Sequence, residues 1–489
     1  MKKFALKYIN FLCSALIYFV IVFSPWAFGT TENWSISVVC IATYFLGFLL
    51  FAKKILSISD FRIYQFFKKI NIKSTNSLLS VLISIILLYI LISALNARAS
   101  FDSSSFEYTY FETFKKFLPH SYDANSTWFL FWQYLSLVLL FMSIKHWLYK
   151  YNSCNKLFLN TSKVKIILNL ICFNGTLLAI VSILQRFFYQ DGNGDLLFLI
   201  QPSINIESIN QFGPFAYRSN AASYLNIIIP IIIGLYIQSF TSNTKLRSYK
   251  FGSSLDTLYL PCIIILVGSV VVCASRGGLL VLFISLVFCM FFMFIHFRKS
   301  FFLYGIILFV LFSGLGLGAA YGFDQLKPRI QKSFIEGLGD RKEIYKTVID
   351  IRSDYGLYGS GPGTFQTVMF FEIQSPYSEN QYSAMSGRRL ERALGDIKWH
   401  SWAHNDFLEF LLTFGVIGSI IIFLILTTLI YSCIINNSPH IRIFKYFILI
   451  SLFGVVIHSL LDFPFQVYSI LALLTIIMAV SCESCDIKK

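Results

Sequence analysis

TLYLPCIIILVGSVVVCASRGGLLVLFISLVFCMFFMFIHF, residues 257–297, holds one side chain of fixed charge, Arg276, between two apolar runs. Each run is close to the roughly 20 residues that carry a helix across the hydrocarbon of a bilayer. Backbone amides there have no water to bond, so each run must form a helix that satisfies them internally. The stretch therefore reads as two membrane helices joined at Ser275-Arg276-Gly277-Gly278, with Arg276 near one surface. Working outward, similar runs lie near residues 11–29, 34–51, 77–95, 128–147, 166–184, 221–240, 301–320, 406–433, 446–461 and 463–481. Together they predict an all-α, polytopic membrane protein of about twelve transmembrane helices.

Composition agrees. Hydrophobic residues make up 56% of the chain and charged residues 13%, against about 25% charged in soluble domains. The 52 Phe and 27 Tyr suit lipid-facing and interfacial helix surfaces. A net charge of +15 raises the question of nucleic acid, but the basic residues sit between apolar runs and form no tail or stripe. The lipid bilayer is the expected partner, and no nucleic acid is. The first apolar run has the basic start of a signal peptide but no cleavage site, so it is read as a retained helix. The ten cysteines avoid the long external loops and imply no disulfide framework. Cys482 and Cys485 make a lone C-x-x-C with no second pair or companion His, so no metal site is expected.

Alternate loops differ in charge. Lys2, Lys3, Lys53, Lys54, Lys68, Lys69, Lys163, Lys165, Arg298 and Lys299 all fall in one set. The positive-inside rule puts that set, and both termini, in the cytoplasm. Residues 96–127, 185–220 and 321–404 then face outward. The organisation expected is nine helices over residues 1–320, a large extracytoplasmic loop over 321–405, and three helices over 406–489. The aromatic content of the large loop, including Phe365, Phe370, Trp399 and Trp402, and its helix-like stretches mark it as ordered.

The residues able to carry chemistry gather on the outward side. Arg276 is costly at its depth and is read either as an interfacial anchor or as facing a polar cavity, with Gly277 and Gly278 allowing close approach of a ligand. Arg218, in Arg218-Ser219-Asn220, lies at the mouth of the sixth helix and is a second anchor or anion ligand. Asp340 caps an amphipathic helix on which Arg341 and Arg352, three turns apart, share a face with Tyr345 and Val348. Gly359-Ser360-Gly361-Pro362-Gly363 reads as a tight turn rather than a phosphate nest. His404-Asn405 precedes Asp406 and Glu409, whose spacing reads as a capping box that fixes His404 at the membrane surface. His458 and Asp462, four apart, can meet, either to orient a catalytic group or to satisfy each other, and the structural, supporting role is favoured. An accessible His beside several Arg suits transfer from a diphosphate leaving group. The His would remove a proton from the attacking hydroxyl, and the Arg would neutralise the diphosphate. No divalent metal or cofactor is demanded by this set.

These residues resemble the O-antigen ligase and polymerase superfamily of bacterial membrane proteins. The resemblance rests on His404-Asn405 followed by Gly415-Val416-Ile417-Gly418, on Ser275-Arg276-Gly277-Gly278, on Arg341 with the Gly359–Gly363 segment, and on Arg218-Ser219-Asn220, covering about residues 212–418. It implies a GT-C-like, metal-independent glycosyltransferase of the bacterial inner membrane that uses an undecaprenyl-diphosphate-linked glycan at the periplasmic face. His404 would be the base, Arg218, Arg276 and Arg341 the diphosphate ligands, with Asn405, Arg352, His458 and Asp462 supporting. The acceptor stays open: lipid A-core for a ligase, another lipid-linked glycan for a polymerase, or a protein hydroxyl. A lipid-linked glycan flippase or transporter is the alternative of another class, disfavoured because transporter sites lie at the midplane between related halves.

Overall fold

The run that begins at Arg218 becomes the helix around which the others pack. A computed structural model describes residues 2–57, 75–102, 107–151, 157–159, 161–189, 192–202, 205–244, 257–296, 301–336, 340–374, 402–436 and 443–482. Among them the chain is mostly helical. The helices are α1 (Lys2–Trp26), α2 (Asn33–Ser57), α3 (Thr75–Leu95), α4 (Ala124–Leu148), α5 (Thr161–Phe188), α6 (Arg218–Thr244), α7 (Tyr259–Val272) and α8 (Arg276–His296). They continue as α9 (Phe301–Glu336), α10 (Asp340–Ile351), α11 (Phe365–Gln374), α12 (Asp406–Thr413), α13 (Gly415–Ile435), α14 (Phe444–Ser459) and α15 (Tyr468–Ser481).

Every apolar run read from the sequence is helical, but the runs are not equal. Among the described residues, eight helices are long and apolar enough to cross a membrane, and four others, Tyr259–Val272, Tyr304–Ala320, Phe444–Ser459 and Tyr468–Ser481, are shorter apolar helices. The stretch Ser219–Ile237 of α6 is buried without a break, as expected of a helix apolar on all sides and enclosed by its neighbours. It packs on α5, α7, α8 and α14. Elsewhere large side chains such as Phe283, Phe291, Phe309 and Phe312 point outward. In lipid this is the favourable arrangement, because acyl chains are as apolar as a core.

Glycines set the closest helix contact. Gly314, Gly318 and Gly322 recur every four residues along α9 and face α7, where a Cβ on Gly318 would lie 2.7 Å from the carbonyl oxygen of Gly268. Such small-residue seams let backbones approach where no hydrophobic force draws helices together.

Three features depart from the expectations. The ninth helix does not stop near residue 320 but runs to Glu336, taking the first part of the expected loop. Polar residues do not end a helix already nucleated, since each added residue brings its own hydrogen bond. The run expected at 406–433 is two helices, broken where Gly415 adopts φ +62°. Two short antiparallel hairpins also occur, Ala99–Asp102 with Glu107–Tyr110 and Tyr149–Tyr151 with Leu157–Leu159, which helix-period reading could not reveal. Trp399, Lys68, Lys69, Arg298, Lys299 and Cys485 lie outside the described residues. The described cysteines are all buried and unpaired with one another.

Candidate functional site at one end of the bundle

A small apolar core beside the main bundle sets the position of the site. Ile344 and Val348 of α10 pack with Phe365, Val368 and Met369 of α11, with Ala403 before α12 and with Leu412 within it. With Ile344 and Val348 inward, Arg341 and Tyr345 point along one edge of α10. The Tyr345 hydroxyl donates to the carbonyl of His404 (2.8 Å). Arg341 donates to the carbonyl of Leu461 and lies 3.6 Å from Asp462 Oδ2.

The centre of the site is a His–Asp pair. His404 Nδ1 is 2.9 Å from Asp462 Oδ1. An ionised carboxylate only accepts, so Nδ1 carries the hydrogen and Nε2 is left as the basic nitrogen of the neutral ring. The His404 side chain is 22% exposed and that of Asp462 6%, so the base is reachable while its partner is shielded. Phe463 meets the His404 ring edge-on at 5.1 Å, and Tyr217 lies against it at 5.7 Å. Burial works to raise the Asp462 pKa, but the His404 ring and the Arg341 guanidinium outweigh it and hold the carboxyl below its usual range. Burial likewise disfavours charge on Arg341, and Asp462 with Tyr217 reverses that.

His404 occupies the left-handed region at φ +53°, which non-glycine residues enter rarely and which is held only by well-determined surroundings. Those surroundings are identifiable. Asn405, not Asp406, is the N-cap of α12, and its side chain accepts from the amides of Phe407 and Leu408. Asn suits this role because its short amide oxygen reaches the second and third helical N–H groups. The Asn405 amide also donates to the Leu460 carbonyl. Asp406 and Glu409 are buried and used elsewhere than in the expected capping box. Asp406 accepts from the Phe465 amide and the Gln466 side chain, and Glu409 from the Ala403 amide. Asp406 thus ties the His404 segment to the Asp462 segment, while Glu409 holds the residue before His404 against α12.

Two further arginines stand at helix starts on the same end. Arg218 is the first residue of α6 and Arg276 the first of α8. They lie within electrostatic range of one another, and Arg218 within range of Asp462. Ser275 accepts from the Gly278 amide and so caps α8. A helix start already carries partial positive charge, so an arginine at each concentrates positive potential where two N-termini converge. Arg276 is exposed; Arg218 donates to the carbonyl of Ile209.

Other expectations are corrected. The His458 ring does not bond the Asp462 carboxylate, although the Asp462 amide donates to the His458 carbonyl. The ring Nε2 of His458 lies 3.1 Å from the Ser219 hydroxyl, and Asp462, beyond the end of α14 at Ser459, turns instead toward His404. Gly277 and Gly278 admit protein rather than a ligand, since added Cβ atoms would meet His458 and Ala222. Arg352 is one residue past the end of α10 and exposed. Its amide still donates to the Val348 carbonyl, so the helical turn carries on to Arg352 but leaves its side chain exposed. The Gly359–Gly363 turn is a docking element, as its amides at Ser360 and Gly361 donate to the carbonyls of Leu412 and Thr413 at the end of α12. A Cβ on Gly415 would lie 2.3 Å from the Leu357 oxygen, so the glycines at 359 and 415 allow two backbones to touch. Sequence reading missed Arg186, buried near the end of α5 and donating to the carbonyls of Ser208 and Gln211. The argument applied to Arg276, a charge at the edge of an apolar run, would have found it.

A partly exposed imidazole bonded to a buried carboxylate, with arginines around it at one end of a bundle of apolar helices, marks a multi-pass membrane protein with a site suited to an anionic substrate. Residues 261–424, about a third of the chain, match the profile of the O-antigen ligase family, which supports membership of that superfamily and, at a coarse level, glycan ligation or polymerisation. The matched residues include Arg276, Arg341, His404 and Asn405; Arg218, His458 and Asp462 lie outside them. No curated protein matches the chain.

Proposed function

We propose that this chain is a metal-independent glycosyltransferase of the bacterial inner membrane that moves an undecaprenyl-diphosphate-linked glycan to an acceptor hydroxyl at the periplasmic face. Lipid A-core is the favoured acceptor, making the protein an O-antigen ligase. The observation that carries this reading is the hydrogen bond from His404 to Asp462, with Arg341 on the same carboxylate. His404 Nε2 takes the acceptor proton as the hydroxyl oxygen bonds to the anomeric carbon. The bond from that carbon to the diphosphate breaks, and the electron pair leaves with the phosphate oxygen. Arg218 and Arg276, at two helix N-termini, with Arg341 nearby, counter the charge that develops there. Three guanidinium groups supply this counter-charge, so the reading calls for no metal ion. The basic loops on the opposite side of the membrane support the orientation with both termini cytoplasmic.

The test is the glycan profile of cells lacking the protein, resolving lipid-linked intermediates from attached polymer. A ligase leaves long lipid-linked chains with none attached. Accumulation of single lipid-linked repeats would instead make the protein a polymerase, and loss of glycan from protein alone an oligosaccharyltransferase. A normal profile would overturn the proposal.

Arg276→Ala is expected to lower kcat/KM for the lipid-linked donor about a hundredfold, the scale of removing one donor to a developing oxyanion. Arg276→Lys should recover only part of this, because an ammonium cannot reproduce the planar two-point contact of guanidinium with phosphate oxygens. Full activity of the lysine variant in a reconstituted transfer assay would reduce Arg276 to an anchor.

A further inference from the structure

The segment between α5 and α6 ends at Arg218, and within it the turn Leu196–Ile200 presents apolar side chains outward, with exposed Asn193, Gln201 and Glu207 to either side. Along α5, Leu177, Ile180, Leu184 and Phe187 are exposed at helical spacing, the stripe expected where a spanning helix meets lipid. Phe188, 75% exposed, ends the helix. The stripe does not end there. Phe198 packs edge-on against Phe188 and stacks on Tyr189, both at 5.7 Å. Beyond it Leu199 is 74% exposed, with Ile200 and Ile206 also outward.

The backbone of this segment is arranged to present those side chains. Leu197 and Phe198 have φ of +54° and +61°, a conformation L residues rarely adopt, within a tight turn closed by the Leu196 amide on the Ile200 carbonyl. Buried amide side chains bond the carbonyls behind the turn. Gln185 donates to the Asp195 carbonyl, and Gln211 donates to those of Gly194, Asn205 and Ile206. The Tyr189 hydroxyl donates to Asp195. The carbonyls on the protein side are thereby satisfied.

We infer that the turn Leu196–Ile200 inserts into the outer leaflet of the bilayer, as an interfacial anchor continuous with the lipid-facing stripe of α5. The occupant of this patch is lipid because the patch extends a surface that already faces lipid, at the level where that helix leaves the hydrocarbon. Apolar side chains on a short interfacial segment bind at the boundary of headgroups and acyl chains. The same segment carries the Ile209 carbonyl that accepts from Arg218. Anchoring it therefore sets the height of Arg218 against the membrane surface, where a lipid-linked diphosphate headgroup would lie. This last consequence rests on the proposed function; the insertion does not.

Insertion is read with the full-length protein in phosphatidylcholine vesicles, with Cys154 and Cys485 replaced by serine and a bimane probe on Leu199→Cys. Lys115→Cys, exposed on the outer loop before α4, serves as the water-facing control, and Ile200→Cys as a second site should Leu199→Cys not fold. Bromine on the upper acyl chain is expected to quench the turn probe several-fold more than the control, and aqueous iodide the reverse. Quenching by iodide equal to the control overturns the inference, since the turn would then lie in water. Quenching by neither also overturns it, because protein would cover the patch. A depth result against insertion leaves the His404 chemistry standing, and an inactive site leaves the depth result standing.

Discussion

Replacing His404 with alanine should leave a folded, inserted protein whose transfer rate falls by roughly 10²- to 10⁴-fold, the range that a positioned general base contributes. Folding should survive because the ring is partly exposed and its one polar contact is to Asp462, which keeps Arg341 as a partner. The left-handed backbone at position 404 is the main structural risk. His404→Asn controls for it, since Asn tolerates that region several-fold better than most residues and cannot act as a base. Both variants should be inactive, and both should elute and melt like the parent. Added imidazole should restore part of the activity to His404→Ala and none to a variant that is merely misfolded. Turnover at the parent rate in either variant would remove His404 from the chemistry.

Asp462→Asn should be nearly as damaging, for two separable reasons. The amide can still meet His404 Nδ1, but it has no charge to stabilise the imidazolium that forms when Nε2 takes a proton, so kcat should fall by roughly 10²-fold or more with KM for donor little changed. It also leaves the part-buried Arg341 guanidinium without its counter-charge, at a cost of about 1–3 kcal/mol after allowing for solvent around Arg341. The sign of the pH dependence follows from Asp462. Its folded pKa lies below the unfolded value, so its stabilisation is fully present above the unfolded pKa of about 4 and is lost as pH falls through the lower, folded value. Melting curves in detergent should show parent and Asp462→Asn well separated at pH 7 and converging below about pH 4. A gap that stayed constant into acid would mean that Asp462 contributes packing rather than charge.

The candidate site was partly legible in sequence, and the errors share one cause. Arg218, Arg276, Arg341 and His404 were found because a charge or an imidazole beside an apolar run is conspicuous by composition. Partners were harder. The four-residue spacing of His458 and Asp462 suggested a pair, but that rule holds only within one helix, and α14 ends at Ser459. The capping box failed for a similar reason. Asn405 competes for the same orphan amides with better reach, and Asp406 is drawn to Phe465 and Gln466. The glycines at 277, 278, 359 and 415 were conspicuous too, yet what approaches them is other parts of the chain.

What the sequence by itself determined is that this chain lives in a bilayer, that its apolar runs are helices, and which residues are chemically costly where they stand. Those conclusions depend on local quantities, namely run length, hydropathy and the need of each backbone amide to bond within its own segment. Only the tertiary structure decided that His404 is oriented by Asp462, that α6 is the buried axis, and that the Gly359–Gly363 turn caps the end of α12. Apolar helices carry little record of which neighbours they touch, because lipid solvates their faces as well as another helix does. The contacts that assemble this site join segments far apart in the chain, and no spacing rule spans them.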